Sequence, residues 1–168
     1  TNLYNRSLKT IKQNKKSLAN INTQLNLSSK FILCFDVSHI SGSSSVGSSV
    51  YFDDNGFNKS NYRKYNIKNS KKSDDYGALK EIIKRRLLKV ENYQNENILI
   101  IVDGGKGQIT QVINIINILN CKNISVIGIH KGLNRLTKND RVLNSQKVDI
   151  SNEINKEALI LIQSIRDE

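Results

Sequence analysis

Two aspartates stand where the residues around them favour chemistry. Asp36 closes the apolar run Phe31-Ile-Leu-Cys-Phe-Asp36, and Asp103 closes Asn97-Ile-Leu-Ile-Ile-Val-Asp103. Runs of this kind suit strands buried on both faces. A carboxylate at the carboxyl end of such a strand sits at the edge where α/β sheets collect their ligands. Mg2+ and Mn2+ take oxygen ligands and keep water and a substrate phosphate in their shells. Two such ions roughly 3.5–4 Å apart can activate a water and stabilise a leaving oxygen. This chemistry requires the strand ending at Asp36 to lie beside the strand ending at Asp103. The competing reading is that each acid only caps a strand in solvent.

Other residues gather around these two. Asp103 opens Asp-Gly-Gly-Lys-Gly-Gln108, whose glycines permit a tight turn and close approach to a ligand. Lys106 in that turn could reach a phosphate, although the GxxxxGK[ST] spacing of a P-loop is absent. Arg63, Lys64, Lys106 and Lys131 are candidate phosphate contacts, with a solvated role as the alternative for each. Tyr62 and Tyr65 alternate with basic residues and could stack on bases, unless alternate positions face the core. His39, three residues after Asp36, reads as a hydrogen-bonded structural residue ahead of a metal ligand. His130 reads as a surface residue ahead of one facing the active edge. Cys34 and Cys121 lie outside any CxxC pair and read as small buried hydrophobes of a reducing, cytoplasmic compartment.

The elements that must position these groups follow from periodicity. Residues 1–27 predict a polar, basic helix, with Tyr4, Leu8, Ile11, Leu18, Ile21 and Leu25 at helical spacings. Three strands follow: 31–37, then 43–52 with Asp53-Asp54-Asn55-Gly56 as a hairpin turn, then 62–67. Ser73-Asp74-Asp75 predicts a helix start, with a capping hydroxyl and acids at the positive end of the dipole, and the helix runs to about Val90. A strand to Val102, a helix over 109–119, a last strand over 124–129, a polar loop and a helix from about Glu153 complete the order βββ-α-β-α-β-α. That order predicts a mixed sheet flanked by helices, as in ribonuclease-H-like nucleases. Residues 1–30 read as a linker helix from an upstream domain, and 31–168 as one catalytic domain.

Lys and Arg number 26 against 15 Asp and Glu, a formal charge of +11. Arg6, Lys9, Lys12, Lys15, Lys16 and Lys30 carry six of these charges within the first 30 residues, without an acid. Such an excess points to a polyanionic partner. The alternative source is an AT-rich genome, which would also explain the abundance of Asn and Ile. The chain lacks Met, which reads as a piece of a longer protein, and it has no apolar stretch long enough to cross a bilayer.

Six segments then match one family in order and separation. They are Phe35-Asp36-Val37-Ser38-His39, Tyr62-Arg63-Lys64-Tyr65-Asn66-Ile67, Asp74-Asp75-Tyr76, Asp103-Gly-Gly-Lys-Gly-Gln108, Lys131-Gly132 and Ile165-Arg166-Asp167-Glu168. Together they resemble the ribonuclease-H-like half of the UvrC excinuclease family. The resemblance implies a divalent-metal-dependent DNA endonuclease that makes the incision 5′ to a lesion in nucleotide excision repair. It implies Asp36, Asp75 and Asp103 as catalytic and metal-binding acids, with Mg2+ or Mn2+ as cofactor. Damaged double-stranded DNA would be the substrate, and UvrB a partner through a segment outside this chain. The family's catalytic histidine would follow two positions after Glu168, so the fragment is expected to fold but to cut poorly. His130 departs from the family, which usually carries a small residue there. The alternative is a catalytically silent ribonuclease-H-like module that binds nucleic acid; retention of all three acids argues against it.

Overall fold

A computed structural model of the chain describes residues 2–40, 44–67, 74–89, 95–132 and 139–168. Thr1, Ser43, Ser73 and Val90, expected at element ends, lie outside the described residues, as does 133–138 of the polar loop. The chain opens with α1 (Asn2–Leu25), then β1 (Phe31–His39), β2 (Ser45–Asp53) and the two-residue β3 (Gly56–Phe57). A short 3-10 turn leads into β4 (Arg63–Ile67) and α2 (Asp75–Leu88). The rest alternates: β5 (Ile98–Asp103), α3 (Lys106–Ile118), β6 (Ile124–Lys131), β7 (Asp140–Leu143) and α4 (Lys156–Asp167).

The strands form one seven-stranded mixed sheet in the order β3-β2-β1-β5-β6-β7, with β4 also paired to β2. The two most apolar strands, β1 and β5, are central and parallel, in register from Phe31 opposite Ile98 to Phe35 opposite Val102. Being covered on both faces, they carry apolar residues at every position and show no alternation. Leu33, Phe35, Ile100 and Val102 face α2 and α3, where Ile82, Ile83, Ile109 and Val112 are fully buried. Ile32, Cys34, Leu99 and Ile101 face α1 and α4, against Ile21, Ala158, Ile162 and Ile165.

Caps fix where the helices begin. Asp74 accepts from the Gly77 amide at 2.9 Å, and Asn155 accepts from the Ala158 amide at 2.9 Å. Each satisfies a donor that a helix start leaves open. Asn155 also exchanges two amide hydrogen bonds with Asn20, at 3.0 and 2.9 Å, which ties α1 to the start of α4. Leu18 and Ile21 anchor that half of α1 by burial, whereas Leu3, Tyr4, Leu8 and Ile11 are 82%, 68%, 39% and 43% exposed.

Three expectations need correction. The expected last strand is followed by another, β7, which pairs antiparallel with β6 from Gly128 opposite Leu143 to Lys131 opposite Asp140. Four residues inside a polar run give too short a period for sequence reasoning to detect. Helix α3 starts at Lys106 ahead of Ile109, because Gln108 accepts from the Gly105 amide at 3.0 Å and closes the turn onto the helix. Helix α4 starts at Lys156, past Glu153, since Asn155 is its cap.

Candidate active site

The strand register places the two acids. Asp36 follows Phe35 on β1 as Asp103 follows Val102 on β5, and the pair Phe35–Val102 is in parallel register. Alternation then puts both side chains on the face of Cys34 and Ile101, toward α4, at the carboxyl edge of the sheet. Burial raises the Asp103 pKa above the usual carboxylate value, and the charge of Asp36 raises it further. Arg166 opposes that rise, while Asp140 and Asp167 add to it. An acid whose ionisation is opposed by burial and by a neighbouring carboxylate makes a place where a cation is favourable.

Glycine makes the close geometry possible. A Cβ on Gly128 of β6 would lie 2.7 Å from the Gly104 carbonyl and 2.9 Å from Ile109. The missing side chain lets the turn after Asp103 sit against β6, where the Gly104 amide donates to Ile129 at 2.9 Å.

The end of α4 completes this edge. Arg166 binds Asp140 of β7 at 2.8 Å and Asp167 at 2.9 Å, and Gln163 donates to Asp140 at 3.1 Å. Sequence reasoning assigned no role to Asp140 or Arg166. The Arg166-Asp167 pair stood inside a recognised motif, which was the available signal; Asp140 offered none, because β7 itself was not visible.

Asp75 arrives from elsewhere. It is the first residue of α2, and its carboxylate meets Nε2 of His39, whose Nδ1 lies 3.0 Å from the Ser45 hydroxyl. By alternation His39 shares the Phe35 face of β1, opposite to Asp36. Asp74 is occupied in capping. The structure therefore brings Asp36 and Asp103 together, and Asp75 approaches the same strand end from the other face. Among the described residues no three His, Cys, Asp or Glu side chains converge to hold a metal ion.

The four predicted phosphate contacts separate into two places. Lys106, the first residue of α3, and Lys131, at the end of β6, are exposed beside Asp103. Lys64 pairs with Ser48, and Ser48 with Asp36, which places Lys64 on the Asp36 face about 10 Å away, two strand spacings across. Arg63 faces the other way and folds onto the carbonyls of Ser60 and Tyr62, at 2.9 and 2.7 Å. Tyr62 is partly exposed and donates to Glu168 at 3.1 Å; Tyr65 is buried, so its ring does not stand open for a base. The His130 Nδ1 lies 2.9 Å from the Lys131 carbonyl. Cys34 is buried and Cys121 partly buried, both free thiols.

Residues 22–168 match the family model of the UvrC RNAse H endonuclease domain. The chain is 36% identical over 138 residues to "UvrABC system protein C" of Saccharophagus degradans and 40% identical over 138 residues to that of Nitrosococcus oceani. Both alignments cover 82% of the chain, but only 22% and 23% of those proteins, so the chain spans under a quarter of their length. Among solved structures it is similar to a Ciona intestinalis endonuclease V bound to inosine-containing DNA, with a TM-score of 0.45 and 15% identity. That match covers 70% of the chain and 56% of the other. The mixed sheet with helices on both faces agrees with the RNase H fold that this family model describes. The chain belongs to the UvrC RNase H endonuclease domain family.

Proposed function

We propose that this domain hydrolyses a DNA phosphodiester with a divalent metal ion, Mg2+ or Mn2+, held by Asp36 and Asp103 and completed by Asp75. The carrying observation is the placement of Asp36 and Asp103 on one face of adjacent parallel strands, with the Asp103 pKa raised partly by Asp36. The donor set fits such ions, because carboxylate oxygens are their preferred ligands. A bound ion would supply an activated water and stabilise the leaving oxygen. Arg166, clamped between Asp140 and Asp167, holds the end of α4 against the acids, and His39 orients Asp75. Lys64, Lys106 and Lys131 receive phosphates on either side of that edge, with Arg63 farther back. In the whole protein we read the substrate as damaged double-stranded DNA, cut 5′ to the lesion in cytoplasmic nucleotide excision repair. UvrB would be engaged outside this chain. Residues 1–30 we read as the link to an upstream domain and 31–168 as the endonuclease unit. Among the described residues, no helix is long and apolar enough to cross a membrane.

The test pairs cleavage with stability. Asp36→Asn should lose the rise in melting temperature on adding Mn2+ and lower nicking of a lesion-bearing duplex more than 100-fold, beyond the 10–100-fold typical of residues that only support a ligand. Its DNA affinity should stay near that of the parent. Unchanged metal stabilisation and nicking would make Asp36 a strand cap and leave a silent binding module as the better reading.

A further inference from the structure

The motifs Asp74-Asp75-Tyr76 and Asp103-Gly-Gly-Lys-Gly-Gln108 meet at a contact that the acid chemistry leaves unused. Tyr76 is the second residue of α2, and Gly107 is the second residue of α3. A Cβ on Gly107 would collide with the Tyr76 hydroxyl and lie 2.7 Å from its Cζ. The tip of the ring therefore rests on the backbone of the first turn of α3, in the space a side chain at 107 would fill. Gly107 is already inside the helix, where alanine would favour the fold more. Close approach of the ring, and not the turn after Asp103, is what asks for glycine here.

The contact matters because of where the core begins. Helices α2 and α3 share one buried cluster, with Ala78, Leu79, Ile82 and Ile83 on the first and Ile109 and Val112 on the second. The first turn of α2 stands outside that cluster, and Tyr76 is 45% exposed. Two links reach this turn from other elements: the Asp75 carboxylate meets His39, and the Tyr76 ring meets Gly107. The first link ties the turn to β1, the strand of Asp36. The second ties it to α3, which begins three residues after Asp103 ends β5. One turn is thereby joined to both strands of the acid pair.

We propose that Tyr76 is a positioning residue: its ring, seated on Gly107, fixes the start of α2 against the start of α3 and so sets where Asp75 stands relative to Asp103. The proposal rests on the reading that these acids hold a divalent metal ion. In this role Tyr76 touches neither the metal nor DNA. It acts through the backbone of its neighbour Asp75, as groups behind a ligand commonly do. Gly107 is the seat that makes the contact possible, a role apart from that of Gly104 and Gly105 in the turn.

The test uses Gly107→Ala, Tyr76→Ala, the variant carrying both, and Tyr76→Phe. Each is melted across a Mn2+ series, and the amides of Asp75 and Asp103 are followed by NMR without metal. The half-exposed ring can swing outward, so all four should melt near the parent temperature when no metal is present. Gly107→Ala should shift the Asp75 amide and raise the Mn2+ concentration for half-maximal stabilisation about 10-fold, the low end for groups that support a ligand. Tyr76→Ala should raise it by the same factor, and the double variant by no more, because both changes remove one contact. Tyr76→Phe keeps the ring on its seat and should stay close to the parent. A residue that served the fold alone would lower the metal-free melting temperature and leave the Mn2+ midpoint where it was. If Gly107→Ala keeps the parent midpoint, or the two single effects multiply in the double variant, the contact does not position Asp75 and the proposal is wrong while the metal reading stands. A parent without any Mn2+ response would overturn the metal reading, and this proposal with it.

Discussion

The two ends of β1 carry opposite charge by opposite means. At the carboxyl end, Asp36, Asp103, Asp140 and Asp167 crowd around the single guanidinium of Arg166. At the amino end, among the described residues, Lys30, Arg63, Lys64, Arg85, Arg86 and Lys89 line a cavity with Glu96; Lys30 pairs with Glu96 and Arg85 with Glu81. The acidic end is built from the ends of β1, β5, β7 and α4, so the sheet itself brings the charges together. The basic end hangs long side chains on backbone carbonyls around a cavity. The difference shows that the net charge of +11 describes neither place. Charge crowded against like charge stores free energy that a counter-ion can release; charge spread over anchored side chains stores little.

The largest expected effect comes from removing Arg166, which is ion-paired with two of these acids. The Arg166 and Asp140 side chains are 15% and 13% exposed, so losing Arg166 leaves the nearly buried Asp140 carboxylate without its ion pair. Arg166→Met should cost about 2–4 kcal/mol, read from a urea unfolding curve. A cost below about 0.5 kcal/mol would mean the crowding is relieved by solvent. The opposite sign is expected for Asp103→Asn without metal. A folded-state pKa above the ordinary value means ionisation works against the fold. That penalty is absent below the ordinary Asp range near 3.8, grows as pH rises through the folded-state value, and is complete at neutral pH. Asp103→Asn should therefore melt higher than the parent at pH 7 and converge with it in acid. A variant melting lower at pH 7 would remove the repulsion from the account. The smallest effect belongs to the basic end: Glu81→Gln breaks an exposed i,i+4 pair with Arg85 and should change stability by less than about 0.5 kcal/mol. A larger loss would show that the cavity cations are more tightly coupled than their exposure indicates.

Much of this was legible in the sequence for one physical reason. Central parallel strands must be apolar throughout, so β1 and β5 stood out, and the acids that end them could be placed at one sheet edge before any coordinates. The helix caps at Asp74 and Asn155 differ in this respect: an acid run announced the first, while the second is one asparagine among many. Asp140 was hidden because an edge strand of four residues needs only Val142 and Leu143 inward. The face of Asp75 was hidden too, since its approach depends on how α2 crosses the sheet. The apolar spacing of α1 overstated its contacts: Tyr4, Leu8 and Ile11 keep helical periodicity in a stretch that reaches past the core.

The parallel register of β1 and β5 has a consequence for folding. Both strands are apolar on both faces, so sliding one by a single residue would leave the hydrophobic match nearly as good. It would, however, turn Asp103 to the face opposite Asp36. A ligand needing both carboxylates binds only the native pairing and, by mass action, draws the population toward it. The proposed cation, once bound by the acid pair, would thus mark the correctly threaded sheet against its near-degenerate competitor.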